Sequence, residues 1–377
     1  MKIAMLIPSF PPINGGAEIG AFELCKELVK KGHQVTVLTP RIKHSFKKKE
    51  TLDKVNIIRF KSGKGPFNVL YSYIYVGRLL KKIKPDFLNI QYILPSGLGG
   101  VYWAKKLKIP VITTLIGWDV YDPHIKVPSV LNPFIKRALK RSDWVATSST
   151  FVKNIVHKKF DIEKVQVITY GIDTDRFNPQ NDGKDVRKKY GVKDDEVLIS
   201  TIQRLDVRKG IQYFIKAIPL IIKQVKKEKI KFMIVGDGPE RDNLKQEAKK
   251  QGLQDKIIFT GNIPNAEVTK YYAACDIFAF HSLHEGFGIV LIEALSTGKP
   301  VVTTIAGGTT DIVEDGVNGF LVKPKRPKDF ADRVVRLVED EKLRQKFGEN
   351  GRKKAVDQFI WSKIADKYLK TYEKIIS

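Results

Sequence analysis

Two short segments place charged side chains beside the predicted start of a helix, an arrangement that suits phosphate binding. In IQRLDVRKG (202–210), Arg204 follows a predicted strand and Lys209 lies on the loop that opens the next helix. A helix N-terminus supplies free N–H groups, and each cation adds a charge-assisted hydrogen bond of about 1.5–3 kcal/mol. The segment therefore suits a diphosphate. The alternative is a surface pair between Arg204 and Asp206 with a solvated lysine.

The second segment, HEGFGIVLIEALSTGKP (284–300), predicts a loop followed by a helix that carries a buried carboxylate. The loop contains Glu285 and Gly286–Gly288, and the residues around Glu293 in the helix are all apolar. A buried carboxylate is costly unless it is paired or hydrogen-bonded. It would lie about 7–8 Å from the helix start, within reach of hydroxyl groups on a ligand whose phosphates occupy that end. An internal Arg or Lys partner is the alternative.

A third segment, SFPPINGGAEIGAFEL (9–24), predicts a strand, a glycine-rich turn and a helix. Gly15 and Gly16 allow the backbone to approach an anion closely. The segment lacks the G-x-G-x-x-G spacing, and the second predicted strand, HQVTVLTPR, carries no acid for a ribose. A simple dinucleotide-dependent dehydrogenase is therefore disfavoured.

The elements that would position these residues alternate strand and helix along the whole chain, which predicts parallel sheets covered by helices. A break at Asn178–Pro179 separates two such series. We expect an N-terminal Rossmann-like domain over 1–178, a C-terminal Rossmann-like domain over 179–360, and a final helix within 361–377 that packs back on the first domain. Two doubly wound α/β domains would then face each other across a cleft.

The chain is strongly basic. Its net charge is +26, of which residues 1–180 contribute +17, and such a field attracts phosphates on nucleic acids, membranes or small molecules. No nucleic-acid-binding motif accompanies it. The composition excludes a disordered chain, and two cysteines, Cys25 and Cys275, fit a reducing compartment. Because neither a signal peptide nor a transmembrane stretch is recognisable, we expect a cytoplasmic protein.

The ordered set of motifs resembles the retaining glycosyltransferases of family GT4, which have the GT-B fold. The resemblance covers the whole chain and rests on these motifs: PPxxGGAE (11–18), R-x4-K (Arg204, Lys209), VGDGPE (235–240), GN-x-P (261–264), E-x7-E (Glu285, Glu293), GGTTDIVEDGVNGFLV (307–322) and F-x-W (359–361).

The resemblance implies a role for each matching residue. Arg204 and Lys209 would hold the donor diphosphate, and Glu293 would bind the ribose of a nucleotide sugar. Glu285 and the backbone of Gly286, Phe287 and Gly288 would orient the donor sugar. Gly15 and Gly16 would approach the phosphates, and Ile263 would line the nucleobase site. Such enzymes usually need no metal, and H-x-x-H-E (281–285) falls in a predicted loop rather than in the helix that a zinc site requires.

The chain departs from the family at one position beside the donor sugar. Ile116 stands where many members have a polar residue, in TTLIGWDV (113–120). Either Trp118 and Asp119 take over contacts with the sugar or acceptor, or catalysis is impaired.

The leading prediction is a retaining, metal-independent hexosyltransferase that uses a UDP- or GDP-sugar and a glycan or lipid-linked acceptor. A nucleotide-sugar binder with weak or lost activity, or a nucleotide-sugar epimerase, is the alternative. The basic N-terminal half also predicts peripheral docking to an anionic membrane, and no nucleic-acid partner is expected.

Overall fold

The computed structural model describes residues 1–13, 15–63, 67–121, 128–225 and 229–376. The chain divides into two compact units. The first unit comprises Met1–Gly171 and Trp361–Ser377, and the second unit comprises Ile172–Ile360.

The first unit is built on an eight-stranded sheet in the order β3-β4-β2-β1-β5-β6-β7-β8. Its strands are β1 (Lys2–Leu6), β2 (Gln34–Arg41), β3 (Lys49–Leu52), β4 (Val55–Lys61), β5 (Phe87–Gln91), β6 (Val111–Leu115), β7 (Trp144–Thr147) and β8 (Val165–Val167). Only β3 is antiparallel to its neighbour, β4. The central strands β5 and β6 are buried along their whole length, as expected for parallel strands covered on both faces.

In the part of the chain that the structure describes, the helices between the strands of this sheet are α1 (Gly16–Lys30), α2 (Phe67–Ile83), α3 (Gly97–Lys106), α4 (Asn132–Arg141) and α5 (Thr150–Phe160). They bury apolar side chains against the sheet. Val76 of α2, Val101 of α3 and Val152 of α5 join Leu6 and Ile90 in one core.

The second unit is built on a six-stranded parallel sheet in the order β11-β10-β9-β12-β13-β14. Its strands are β9 (Val197–Ile202), β10 (Ile230–Val235), β11 (Ile257–Gly261), β12 (Ile277–Phe280), β13 (Val301–Thr304) and β14 (Gly319–Val322). Successive strands are added towards one edge of the sheet from β9 to β11 and towards the opposite edge from β12 to β14, so the switch point lies between β9 and β12. Ligands of doubly wound sheets bind at such a switch point, outside the carboxyl ends of the strands.

The α-helices described in this unit are α6 (Lys184–Lys189), α7 (Ile211–Gln224), α8 (Arg241–Lys250), α9 (Val268–Ala274), α10 (Ile289–Ser296), α11 (Thr309–Ile312), α12 (Pro327–Glu339) and α13 (Glu341–Gln358). Phe214 of α7 and Phe330 of α12 are both buried in the core of this unit.

The final helix, α14 (Trp361–Ile376), belongs to the first unit. Tyr372 on this helix is fully buried, and its ring lies 4.1 Å from that of Phe87 on β5. The Nδ2 atom of Asn89 donates a 2.6 Å hydrogen bond to the hydroxyl of Tyr372. A buried amide needs such a hydrogen-bond partner. The helix α14 therefore supplies the acceptor for Asn89 on the central strand β5.

The predicted fold class is confirmed, since both units are α/β with Rossmann-like parallel sheets. The alternating apolar pattern of the sequence does not indicate three short elements of the structure: β3, α6 and α11. The strand β3 pairs with β4 through a turn in which Asp53 and Lys54 both have positive φ, 47° and 64°. Two-residue hairpins require this conformation and usually signal it with Asn-Gly or Asp-Gly, which Asp-Lys does not resemble.

The boundary between the units lies at 171/172 rather than at 178/179. Ile172 forms a bridge with Ile360, and its N–H donates to the carbonyl of Phe359 at 2.6 Å. Arg352 then holds the carbonyls of Thr174 and Phe177 at 3.1 and 3.0 Å. These bonds attach the segment before Asn178 to the second unit.

Candidate donor site and the proteins it resembles

Lys209 and Glu285 meet at the switch point of the second sheet. Lys209 follows β9 and Glu285 follows β12, and these strands are neighbours. The Nζ atom of Lys209 donates to Oε1 of Glu285 at 2.5 Å. Their side chains are 26% and 11% exposed, so the pair is largely shielded from water. A phosphate beside this ammonium group would gain a charge-assisted hydrogen bond.

The turn that carries Lys209 is closely packed. The carboxylate of Asp206 accepts from the N–H of Arg208 at the start of the turn, and Gly210 ends it with φ of 62°. A Cβ atom at Gly210 would lie 2.2 Å from the carbonyl oxygen of His281. Gly210 therefore permits both the left-handed backbone and the close approach of the loop after β12.

Arg204 is exposed, and its guanidinium has no hydrogen-bond partner among the described residues. Asp206 pairs instead with Arg208, whose Nε lies 3.0 Å from Oδ1. Arg208 is the main cause of the lowered pKa of Asp206, to which Arg204 adds a smaller effect. The alternative interpretation of Arg204 as the partner of Asp206 is therefore wrong.

The loop from Glu285 to Gly288 packs firmly against the rest of the second unit. Phe287 is buried, with its ring 5.9 Å from that of Phe359. The N–H of Gly308 donates to the carbonyl of Glu285 at 3.2 Å. Gly288 has φ of 106° and immediately precedes α10. The backbone next to the helix N-terminus is thus held in place without a ligand.

Glu293 lies on α10, and its hydrogen-bond partner is a tyrosine. The hydroxyl of Tyr272 donates to Oε2 of Glu293 at 2.6 Å. Burial raises the pKa of Glu293, while the Tyr272 bond and the charge of Arg176 oppose that rise. The alternative interpretation, an internal Arg or Lys hydrogen-bond partner, is therefore wrong, and the partner is Tyr272, which the sequence reasoning missed. The Oε1 atom makes no hydrogen bond to the described residues and can accept from a ligand hydroxyl.

Ile263 lies after β11 and is partly buried. Gly261, at the end of that strand, has φ of 72° and turns the chain into the loop. Two strands, β10 and β9, separate β11 from β12 in the sheet. Among the described residues, no hydrogen bond joins Ile263 to Lys209, Glu285 or Glu293, and its place beside a nucleobase stays a prediction.

In the first unit, Gly15 and Gly16 begin α1 as predicted, whereas Asn14 of the same motif lies outside the described residues. A carboxylate of the protein already lies over this turn. A Cβ atom at Gly15 would be 2.1 Å from Oε2 of Glu18, and the Ser9 hydroxyl donates to the other oxygen, Oε1. A ligand phosphate at Gly15 would have to displace Glu18. The acid three residues after a helix start is a common capping position.

Asp119 is not a sugar ligand in this structure, because its carboxylate is fully buried. Its Oδ2 atom accepts from the N–H of Ile93 at 3.1 Å, and Oδ1 accepts from Ile116 and Gly117 at 3.2 and 3.1 Å. Asp119 therefore anchors the loop after β6. Trp118 is 38% exposed, with its ring 4.9 Å from that of Tyr92, and remains available to a ligand.

Ile116 is buried and lines a cavity of about 20 Å³ at the carboxyl end of β6. Gln91, Thr114 and Ser148 line the same cavity. The polar groups beside Ile116 thus come from β6 itself and from the ends of the neighbouring strands β5 and β7, although the side chain of Ile116 has none.

Among the described residues, no group of three or more His, Cys, Asp or Glu side chains is arranged to hold a metal ion. In the same part of the chain, every helix is too short or too polar to cross a bilayer.

Residues 182–354 match the family model of glycosyl transferases group 1, and residues 14–176 match that of glycosyltransferase family 4. The chain belongs to the group 1 glycosyltransferases. Among curated relatives, N-acetyl-alpha-D-glucosaminyl L-malate synthase of Bacillus anthracis is 26% identical over 100% of this chain and 98% of that protein. Alpha-monoglucosyldiacylglycerol synthase of Streptococcus pneumoniae is 28% identical over 85% of this chain and 75% of that protein.

Among solved structures, Anabaena HepE in complex with UDP-glucose aligns with a TM-score of 0.80 at 23% identity, over 99% of this chain and 100% of that one. The family predicted from the motifs and the GT-B fold are confirmed. This glycosyltransferase accordingly transfers sugars to acceptors.

Proposed function

We propose that this glycosyltransferase moves a hexose from a UDP- or GDP-sugar to a glycan or lipid-linked acceptor, with retention of configuration and without a metal ion. The observation that carries the proposal is the Lys209–Glu285 pair at the switch point of the second sheet. The names of relatives support the ligand classes, since one includes a glucosyldiacylglycerol and a neighbouring structure holds UDP-glucose.

Lys209 and Arg204 stabilise the leaving group in the proposed reaction. As the bond between the anomeric carbon and the phosphate oxygen breaks, negative charge accumulates on the nucleoside diphosphate. Fixed cations beside that charge stabilise the transition state more than the ground state. The ammonium group of Lys209 has three donors, so it can hold a phosphate oxygen while keeping its bond to Glu285. These two cations supply the charge that a metal ion would otherwise provide.

Glu285 and Glu293 orient the two ends of the donor. Glu285 is held by Lys209 and presents its remaining acceptor sites to hydroxyl groups of the donor sugar. The Oε1 atom of Glu293 accepts from a ribose hydroxyl, while Tyr272 holds Oε2. Donor specificity for the hexose then depends on the loop of Gly286–Gly288, whose backbone is packed in place.

Retention follows if the acceptor attacks from the face that the diphosphate leaves. The acceptor oxygen forms its bond to the anomeric carbon, the bond to the phosphate oxygen breaks, and the acceptor proton moves to that departing oxygen. No protein base is needed for this transfer. A paired nucleophilic and acidic carboxylate, as in glycosidases, is not part of the proposed site.

The test combines donor screening with product stereochemistry. The purified chain is incubated with UDP- and GDP-hexoses and with soluble glycans, diacylglycerol or polyprenyl-diphosphate-linked sugars, with and without EDTA. We expect nucleotide release with one donor class, an α-linked product from an α-linked donor by NMR, and no loss of rate in EDTA. An inverted product would refute retention, and loss of the rate in EDTA that added Mg²⁺ restores would refute metal independence.

A charge variant tests the site itself. Lys209→Ala should lower turnover about 10²–10³-fold, as loss of a single transition-state donor does. Lys250→Ala, in the last turn of α8, removes an equal charge elsewhere on the second unit and should change turnover less than twofold. A Lys209→Ala enzyme with the wild-type rate would remove Lys209 from the mechanism. Donor binding without turnover would favour the alternative of a degenerate nucleotide-sugar binder.

We further propose that α4 of the first unit docks on an anionic membrane. Val130, just before this helix, and Phe134, on the helix, are 69% and 60% exposed. The exposed face of the helix also carries basic residues, including Arg137, Lys140 and Arg141. Each basic residue near an anionic surface contributes about 1 kcal/mol. Sedimentation with anionic vesicles should exceed that with neutral vesicles, fall with salt and weaken in Phe134→Glu. Equal binding to both vesicle types, or to neither, would contradict docking.

A further inference from the structure

A second group of cations surrounds a small cavity at the carboxyl end of β14. The cavity has a volume of about 10 Å³, room for about one water molecule. It is lined by His281 and Thr304, which follow or end neighbouring strands, and by Lys323, Lys325, Arg326 and Phe330. An adjoining open groove of about 410 Å³ shares Lys323 and Arg326 with it.

His281 is a buried polar side chain whose ring nitrogens have no partner among the described residues. The residue is 2% exposed. Its ring packs between Phe214 and Phe330, at 4.6 and 3.7 Å. An imidazole always carries at least one N–H donor, and a buried donor without an acceptor is costly. The cavity is the space from which an acceptor can reach it.

The cations at the cavity have no ion-pair partner among the described residues. Lys323, Lys325 and Arg326 are exposed, and no carboxylate of the described chain lies within ion-pair distance of them. Asp329, in the first turn of α12, lines the adjoining groove. Like charges gathered without counter-ions repel one another, and an anionic ligand relieves that repulsion.

The helix α12 begins at this cavity and adds the partial positive charge of its N-terminus. α12 is 13 residues long and starts at Pro327, and Arg326 before it makes no side-chain cap. Pro327 has no N–H, but the next N–H groups of the first turn are not used by a capping side chain. The uncapped N-terminus of a helix favours an anion. The helix end, the cations and the buried imidazole therefore point to one kind of ligand.

We propose that Lys323, Lys325, Arg326, the first turn of α12 and His281 form a binding site for a phosphate group, separate from the donor diphosphate site. The phosphate lies at the cavity mouth among the cations, and one of its oxygens, or a water that it holds, accepts from His281. The shared chemistry is a tetrahedral oxyanion, present either as free inorganic phosphate or as a phosphate monoester whose remainder occupies the groove.

Backbone contacts link this phosphate site to the turn that carries Lys209. The N–H of Leu283 donates to the carbonyl of Arg208 at 2.8 Å, and the carbonyl of His281 packs on Gly210. A ligand at His281 is thus one short segment away from Lys209. The site nevertheless does not depend on the proposed catalytic roles, and its failure would leave them unaffected.

The direct test is NMR of the full chain labelled at the histidine Cε1 positions. The chain has six histidines, and His281→Phe assigns the signal while keeping an aromatic ring between Phe214 and Phe330. Inorganic phosphate and glycerol 3-phosphate are titrated separately at constant pH and ionic strength, with chloride as the reference salt. We expect the His281 signal to shift with saturation for phosphate but not for chloride. Tighter binding of the monoester identifies the groove as part of the site.

Charge variants test the same site independently of whether His281→Phe folds. Lys323→Ala, Lys325→Gly and Arg326→Ala should each weaken phosphate binding about tenfold, the loss of one charge-assisted hydrogen bond. Glycine is chosen at 325 because Lys325 has φ of 61°. Lys250→Ala should bind as the wild type does, and Lys209→Ala should keep the His281 response. A His281 signal unmoved by both phosphates, or equal responses in the charge variants, would overturn the proposal.

Discussion

Replacing Asp119 distinguishes an anchor of the loop after β6 from a ligand of the sugar. In Asp119→Ala, the N–H groups of Ile93, Ile116 and Gly117 lose the carboxylate that accepts from them. Each buried donor left without a partner costs about 1–3 kcal/mol. Allowing for some access of water, we expect the first unit to lose about 3–6 kcal/mol of unfolding free energy. A sugar ligand alone would leave stability unchanged and weaken only binding.

Asp119→Asn gives a smaller loss with a distinct pH dependence. Its single oxygen can keep the bonds from Ile116 and Gly117, whereas the amide group opposes the N–H of Ile93. One lost bond costs about 1–3 kcal/mol. Burial raises the pKa of Asp119 to about 6, compared with about 3.9 in an unfolded chain. Between these pH values the native state binds more protons, so wild-type stability falls as pH rises from about 4 to about 6.

The shift corresponds to about 3 kcal/mol. Asparagine does not titrate, so the stability advantage of the wild type over Asp119→Asn should be about 2 kcal/mol larger at pH 4 than at pH 7. Above about pH 7 the difference should be constant.

Tryptophan fluorescence during urea unfolding measures this unit selectively. The four tryptophans are Trp103, Trp118, Trp144 and Trp361, and all belong to the first unit. Asp161→Asn is the matched control, because its carboxylate is exposed and such changes usually stay within about 0.5 kcal/mol. A loss below 1 kcal/mol in Asp119→Ala, or a pH-independent difference for Asp119→Asn, would refute the anchor.

Three further variants test local features of the two units. Tyr272→Phe removes the hydrogen-bond donor to Glu293, so the pKa of Glu293 should rise further and the affinity for a nucleoside diphosphate, measured by calorimetry, should fall about tenfold. Tyr190→Phe is the control, and equal affinities of Tyr272→Phe and the wild type would contradict the role of Tyr272. Gly288→Ala places a Cβ at φ of 106° and should destabilise the second unit by about 1–3 kcal/mol by circular dichroism, whereas an unchanged midpoint would show that the loop relaxes. Lys54→Gly removes the backbone strain of a lysine with positive φ and should stabilise the first unit by about 0.5–1 kcal/mol in the fluorescence assay. A loss of stability would mean that the lysine side chain stabilises the fold by more than the strain costs.

Regular elements were predictable because their signals are local. The periodic apolar residues of β9–β14 and α12–α14 lie within each element, so the sequence places them within a few residues. The strand β3 is short and exposed in part, and Asp53–Lys54 is an uncommon hairpin turn. Its pairing with β4 depends on the edge of the sheet, which no local pattern describes.

Site residues were identifiable one by one, but their partners were not. Lys209 and Glu285 stand out because each follows a strand, yet the bond between them joins positions 76 residues apart. No pattern in the sequence indicates that Tyr272 donates a hydrogen bond to Glu293. Asp119 is polar and close to the expected sugar position, which favours the interpretation as a ligand. Its hydrogen bonds go instead to the backbone of Ile93 and of the loop after β6, and no local sequence pattern predicts those bonds.

The pairing of Ile172 with Ile360 has a consequence for biosynthesis. Because the chain leaves the first unit at Gly171 and returns only at Trp361, the second unit is an uninterrupted segment inserted into the first. Synthesis proceeds from the N-terminus at about 5–20 residues per second, so the second unit can complete its fold before α14 exists. Until α14 is made, Asn89 lacks Tyr372 and a face of β5 lacks its cover. The domain begun first is therefore the last to be finished, and a growing chain must protect its open sheet for the time needed to translate the other domain.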